Sequence, residues 1–181
     1  MLKKAFTLIE LLIVIAIIGI LGVGLLIALD PIEQTRRASD TTILQSAVEI
    51  KDAVNRFYAS KLYYPWCADT SVAGSCDYLG ANGCTADATS AVGTSGTCGN
   101  YVVASLLVNT GELKSTPPAT IMSALSLVTG GSGTTFALSF NPASKSFDSN
   151  LTYLFSDTAC ATAGTTVTCA SPNNNCNYCL R

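Results

Sequence analysis

The strongest constraint on the fold is an apolar run of 24 residues, FTLIELLIVIAIIGILGVGLLIAL from Phe6 to Leu29, with one charge inside it, Glu10. As a helix at 1.5 Å per residue it spans about 36 Å, enough to cross a hydrocarbon core of about 30 Å. Lys3 and Lys4 precede it, and positive flanks stay in the cytoplasm. The expected orientation is N-in, with everything after Asp30 exported. A secretory signal has a shorter apolar region, closed by a small-residue cleavage site, and no such site follows Leu29. A carboxylate in hydrocarbon costs roughly 2.5 to 3.5 kcal/mol, so Glu10 is expected to serve a function.

Beyond Asp30 the pattern changes but stays helical. Ile43, Ala47, Ile50, Val54 and Phe57 recur at alternating steps of four and three, a narrow apolar seam along one helix face. Arg36, Arg37, Lys51, Arg56 and Lys61 balance Asp30, Glu33, Asp40, Glu49 and Asp52 around it. Between the two halves stand Gly19, Gly22, Gly24 and Pro31. Each glycine costs a helix about 1 kcal/mol against alanine, and proline removes a donor and clashes with the preceding turn. A bend or a locally melted stretch is expected there. The organisation read from these shifts is 6–29 as the membrane helix, 30–61 as an amphipathic helix and 62–181 as an exported head, with residues 1–5 as a short basic flank.

The head is poor in charge. From Leu62 onward Lys114, Lys145 and Arg181 face Asp69, Asp77, Asp87, Glu112, Asp148 and Asp157. An acidic head offers no footprint for nucleic acid, which is gripped by Lys and Arg on phosphates. The chain has no histidine, so the commonest general base and metal ligand are missing. No GxSxG-type motif occurs either, and neither an enzyme nor a cofactor is expected. Asp148 and Asp157 lack the dense oxygen-ligand spacing of a calcium loop and read as solvated charges.

Eight cysteines, Cys67, Cys76, Cys84, Cys98, Cys160, Cys169, Cys176 and Cys179, all lie in the head. An even number in an exported region reads as a disulfide framework in an oxidising compartment. Cys176 and Cys179 have CxxC spacing, but without a matching second pair, and outside a βαβ unit, they do not read as a zinc or redox site. Proximity groups the first four and the last four, with the pairing left open. Tyr64-Pro65-Trp66 ends the helix, because the residue before proline avoids helical angles. Residues 71–99 read as a cross-linked loop, and YVVASLLVNTGELKSTPP as a short helix or strand followed by a Pro117-Pro118 turn. FALSFNP, LTYLFSD and GTTVTCA read as three strands. Packed on the apolar seam, they make an α+β head. Asn150-Leu151-Thr152 fits a glycosylation sequon, to which little weight attaches.

KKAFTLIELLIVIAIIGIL resembles the N-terminus of the type IV pilin superfamily, which includes type IV pilins and the pseudopilins of type II secretion and DNA-uptake machines. The likeness is most specific over Lys3 to Leu21 and continues loosely to Tyr64-Pro65. It implies the pilin fold: a long N-terminal α-helix, half transmembrane and half amphipathic, packed on a small antiparallel sheet. It further implies residues 1–5 as a leader, cleavage by prepilin peptidase between Ala5 and Phe6, where the family usually has glycine in place of Ala5, and N-methylation of Phe6. Within one chain, Glu10 can pair with the new Phe6 amine one turn away or snorkel to the membrane surface. The resemblance implies a third role, in which Glu10 of an incoming subunit neutralises the Phe6 amine of a neighbour and sets the filament's register.

The function implied is therefore a structural subunit of a type IV pilus, a homopolymer stored in the inner membrane and displayed on the cell surface. Its partners are the peptidase and the assembly machinery. Four disulfides and a Ser/Thr-rich head favour this over a periplasmic pseudopilin, and a membrane-anchored extracellular binding protein or enzyme is the alternative from another class.

Overall fold

Two helices open the chain, and a computed structural model describes them together with most of the head: residues 6–28, 30–68, 76–85, 88–130, 133–148, 153–155, 160 and 176–181. The leader 1–5, Leu29, the GTTVTCA segment, Cys169, Asp157 and the sequon at 150–152 lie outside the described residues. The chain divides into two compact units, Met1–Thr35 and Arg36–Arg181.

In the first unit, α1 (Leu8–Ala28) is one continuous α-helix through Gly19, Gly22 and Gly24. The second helix, α2 (Pro31–Lys61), begins within the same unit. Its start is set by Asp30, a non-glycine residue at φ 38°. The Asp30 carbonyl accepts from the amides of Glu33 (3.1 Å) and Gln34 (3.4 Å), and its Oδ1 accepts from Glu33 N at 3.4 Å. Aspartate tolerates the left-handed region and satisfies open amides at a helix start. Pro31 follows at the first helical position, where its fixed φ suits the helix and its missing N–H goes unneeded.

In the second unit the seam of α2 is buried. Ala47, Ile50, Ala53, Val54 and Phe57 pack in one core with Leu107, Leu127, Leu138, Phe140 and Leu154, while Ile43 at its upper end is half-buried. Each fully buried side chain of this size is worth about 1.5 to 3 kcal/mol. Three polar side chains of α2 tie it to distant loops. Asp40, 1% exposed, accepts from Ala143 N with both oxygens at 3.1 Å and from Ser144 N at 2.8 Å. Lys51 Nζ donates to the carbonyl of Arg181. Arg56 pairs with Glu112 Oε2 at 3.3 Å and donates to its backbone oxygen at 2.7 Å. The helix ends at Leu62, at φ 65°, whose amide bonds Tyr58 O at 2.8 Å.

Among the described residues five strands form one antiparallel sheet: β1 (Thr89–Ala91), β2 (Ser126–Gly130), β3 (Thr135–Phe140), β4 (Leu154–Phe155) and β5 (Asn177–Leu180), in the order β1-β2-β3-β5-β4. FALSFNP supplies β3, the described part of LTYLFSD contributes the two residues of β4, and Asn177–Leu180, which holds Cys179, is strand β5. The pairs Leu127↔Leu138 and Leu154↔Tyr178 face the helix core. Val128, Ala137 and Cys179 belong to a smaller cluster of their own, as the period of two requires. Between β1 and β2 lie the helical segment α3 (Cys98–Asn109) and the short α4 (Ala119–Ala124); α5 (Lys145–Asp148) follows β3. The YVVASLLVN run is therefore helix.

Disulfides staple the irregular parts: Cys67–Cys76, Cys84–Cys98 and Cys160–Cys179. Cys176 is disulfide-bonded as well. Trp66, fully buried, donates from Nε1 to Gly133 O at 3.0 Å and joins an aromatic run, Tyr58 on Tyr64 (4.5 Å), Tyr64 on Trp66 (4.8 Å) and Trp66 beside Phe136 (5.3 Å).

Candidate assembly site

The start of α1 carries a reciprocal cap. Thr7 N and Thr7 Oγ1 donate to Glu10 Oε2 at 3.0 and 2.9 Å, and Glu10 N donates to Thr7 Oγ1 at 3.3 Å. This is a capping box: the residue before the helix and the third residue within it satisfy each other's open groups. Its sequence signal is T-x-x-E ahead of an apolar run, present as Thr7-Leu8-Ile9-Glu10. Thr7 is the residue that the sequence reading passed over. Glu10 thereby has a local partner besides the two considered, the Phe6 amine and the membrane surface. Its second oxygen, Oε1, takes no part in these bonds.

Phe6 precedes the box and is 82% exposed. Beyond Glu10, every α1 residue up to Leu25 is exposed. The window Leu8–Leu25 has a mean hydropathy of 2.9, none of it is buried, and the helix is long and apolar enough to cross a membrane. Gly19, Gly22 and Gly24 lie inside α1, and a Cβ at each would meet nothing within 4 Å. No contact among the described residues requires glycine there. Pro31, grouped with them in the sequence, stands outside α1 as the first residue of α2. Ala5, the other half of the expected cleavage site, lies outside the described residues. Among the described residues no group of three or more His, Cys, Asp or Glu side chains converges to hold a metal ion.

Residues 1–26 match the family model for the prokaryotic N-terminal methylation motif. The chain carries the prepilin signal of type IV pilins and pseudopilins. The match covers the leader, Phe6, the capping box and most of α1, and the prepilin signal is joined here to an α+β head with disulfides. No curated protein and no solved structure matches the chain.

Proposed function

We propose that this chain is the structural subunit of a type IV pilus. Prepilin peptidase removes residues 1–5 by cutting between Ala5 and Phe6, and the new Phe6 amine is N-methylated. The subunit waits in the inner membrane and then polymerises through its N-terminal helix into a surface filament for adhesion, motility or DNA uptake. The observation that carries this reading is an apolar helix exposed throughout Leu8–Leu25, preceded by Phe6 and carrying Glu10 in its first turn. Such a surface must be covered by lipid or by copies of itself.

The carboxylate suits the second covering. Oε2 is held by Thr7, which orients the group, while Oε1 remains for the Phe6 amine of a neighbouring subunit. In a low-dielectric filament core that pairing is strong when complete and costly when half-made. A subunit one step out of register leaves a buried charge unpaired and is rejected. Gly19, Gly22 and Gly24 are placed where the helix can melt and lengthen once it has left the bilayer, within which open backbone groups are penalised. The role is structural, and no catalytic step is assigned to any residue.

Electron microscopy of material sheared from the cell surface, with mass spectrometry for this chain, tests the reading. Filaments built of this chain are expected from the native protein, few or none from Glu10→Ala, and an intermediate yield from Glu10→Asp. Normal filaments from Glu10→Ala would sink the pairing. A pseudopilin uses the same signal for a short periplasmic fibre and would be absent from the sheared fraction. An anchored extracellular binder would not sediment as filaments. The disulfide-stapled, weakly charged head favours the exposed fibre.

A further inference from the structure

We propose that the cavity at the β2–β3 hairpin end of the sheet is a binding site for a carboxylate-bearing sugar. The cavity has a volume of about 630 Å³, inside the usual range for small-ligand sites. Its lining includes Val128 and Ala137 from the smaller cluster, Tyr64 and Phe136 from the edge of the helix core, the exposed Thr135, and Arg181 with its guanidinium. Arg181 is the one charged residue among the described residues that line it. That stands out in a head where carboxylates outnumber cations two to one.

Arg181 is also held in place, which a surface arginine usually is not. Its guanidinium carbon lies 4.6 Å above the Phe155 ring, and its Nη2 donates to the carbonyl of Cys160. Cys160 turns that carbonyl through a left-handed conformation, φ 57°, and is itself bonded to Cys179 of β5. The main chain of Arg181 is gripped by Lys51. A residue in a sparsely populated backbone region persists where its surroundings over-determine it, and such residues cluster at ligand clamps. The carbonyl bond takes one of the five guanidinium N–H groups, and no carboxylate among the described residues pairs with Arg181. A preorganised cation with donors to spare fits a carboxylate through two parallel bonds.

The rest of the lining selects among carboxylates. Recognition of phosphate-bearing motifs uses clusters of arginine, and here there is one. A fatty acid would call for an all-apolar lining, whereas this cavity has the Thr135 hydroxyl and the Tyr64 phenol. A hydroxylated ring bearing one carboxylate meets both demands. The cavity's described residues all belong to the unit Arg36–Arg181.

The test is calorimetric titration of the full-length protein in detergent micelles with glucuronate, glucose and benzoate. Glucuronate is expected to bind, with glucose and benzoate each weaker by about tenfold or more. Arg181→Gln is expected to weaken glucuronate by a similar factor, and Lys114→Gln, at an exposed head cation outside the cavity, to leave it unchanged. If Arg181→Gln does not fold, Thr135→Val on the exposed hairpin replaces it, with a several-fold loss for glucuronate and none for benzoate. Equal binding of glucose, equal binding of benzoate, indifference to these variants, or no saturable binding of glucuronate overturns the proposal.

Discussion

Thr7 and Glu10 share three hydrogen bonds within four residues, and this changes what a substitution at either position reports. Thr7→Ala removes the side-chain acceptor for Glu10 N and one of the two donors to Oε2. Losing such a cap costs about 1 kcal/mol. Faster hydrogen exchange at the amides of residues 8–11 in micelles is expected, with α1 otherwise helical. If Thr7 also orients the carboxylate, filament yield falls although Glu10 is intact. Gly133 is the sharpest single-residue constraint in the head. It lies at φ 83°, and a Cβ there would stand 2.6 Å from Cβ and Sγ of Cys76 and 2.9 Å from the Tyr78 hydroxyl. Cys76 is fixed by its disulfide to Cys67, so it cannot yield. Gly133→Ala is expected to lower stability by roughly 1 to 3 kcal/mol, read as a drop in the urea midpoint.

The elements differ in how far the sequence announces them. The apolar run and the four-and-three seam specify α1 and α2, because each pattern repeats over several turns with few competing signals. Ala53 joins the buried face unannounced, since alanine reads as neutral. Strand β3 was legible in FALSF, but β1 is three residues long and held by its pairing with β2. Strand β5, buried at its first three positions, shows no alternation and was hidden by the CxxC pair that overlaps it. The cavity was not legible at all: Tyr64, Phe136 and Arg181 are far apart in sequence, and only the fold brings them to its lining. Asp40 was counted as one of ten balancing charges, yet it is buried and gathers the Ala143 and Ser144 amides. Nothing local to the helix predicts that. Asp40→Ala leaves those two amides without their acceptor and is expected to cost about 2 to 4 kcal/mol. Asp40→Asn keeps one acceptor oxygen and is expected to lose less, by the same urea midpoint.

Across the whole molecule, two phenols tie the head's stability to pH in strongly alkaline surroundings. Burial pushes the Tyr64 and Tyr178 phenols up from their ordinary value, with a smaller push from Tyr58 and Tyr153 respectively. A group whose folded pKa is raised contributes stability that is fully present below its unfolded pKa, about 10 for a phenol, and lost as pH rises through the folded value. The urea midpoint is therefore expected to fall above about pH 10, and Tyr64→Phe with Tyr178→Phe to flatten that part of the fall.

The sheet order has a further consequence for the filament proposed above, in which heads would stand beside copies of themselves. Its outer strands are β1 and β4, three and two residues long. A strand edge templates another chain through a row of open amides and carbonyls, and rows this short offer little to template on. Uncontrolled cross-β stacking between heads is thereby blocked at the ladder itself. On the proposed reading, self-association is left to α1, where Glu10 would check each addition.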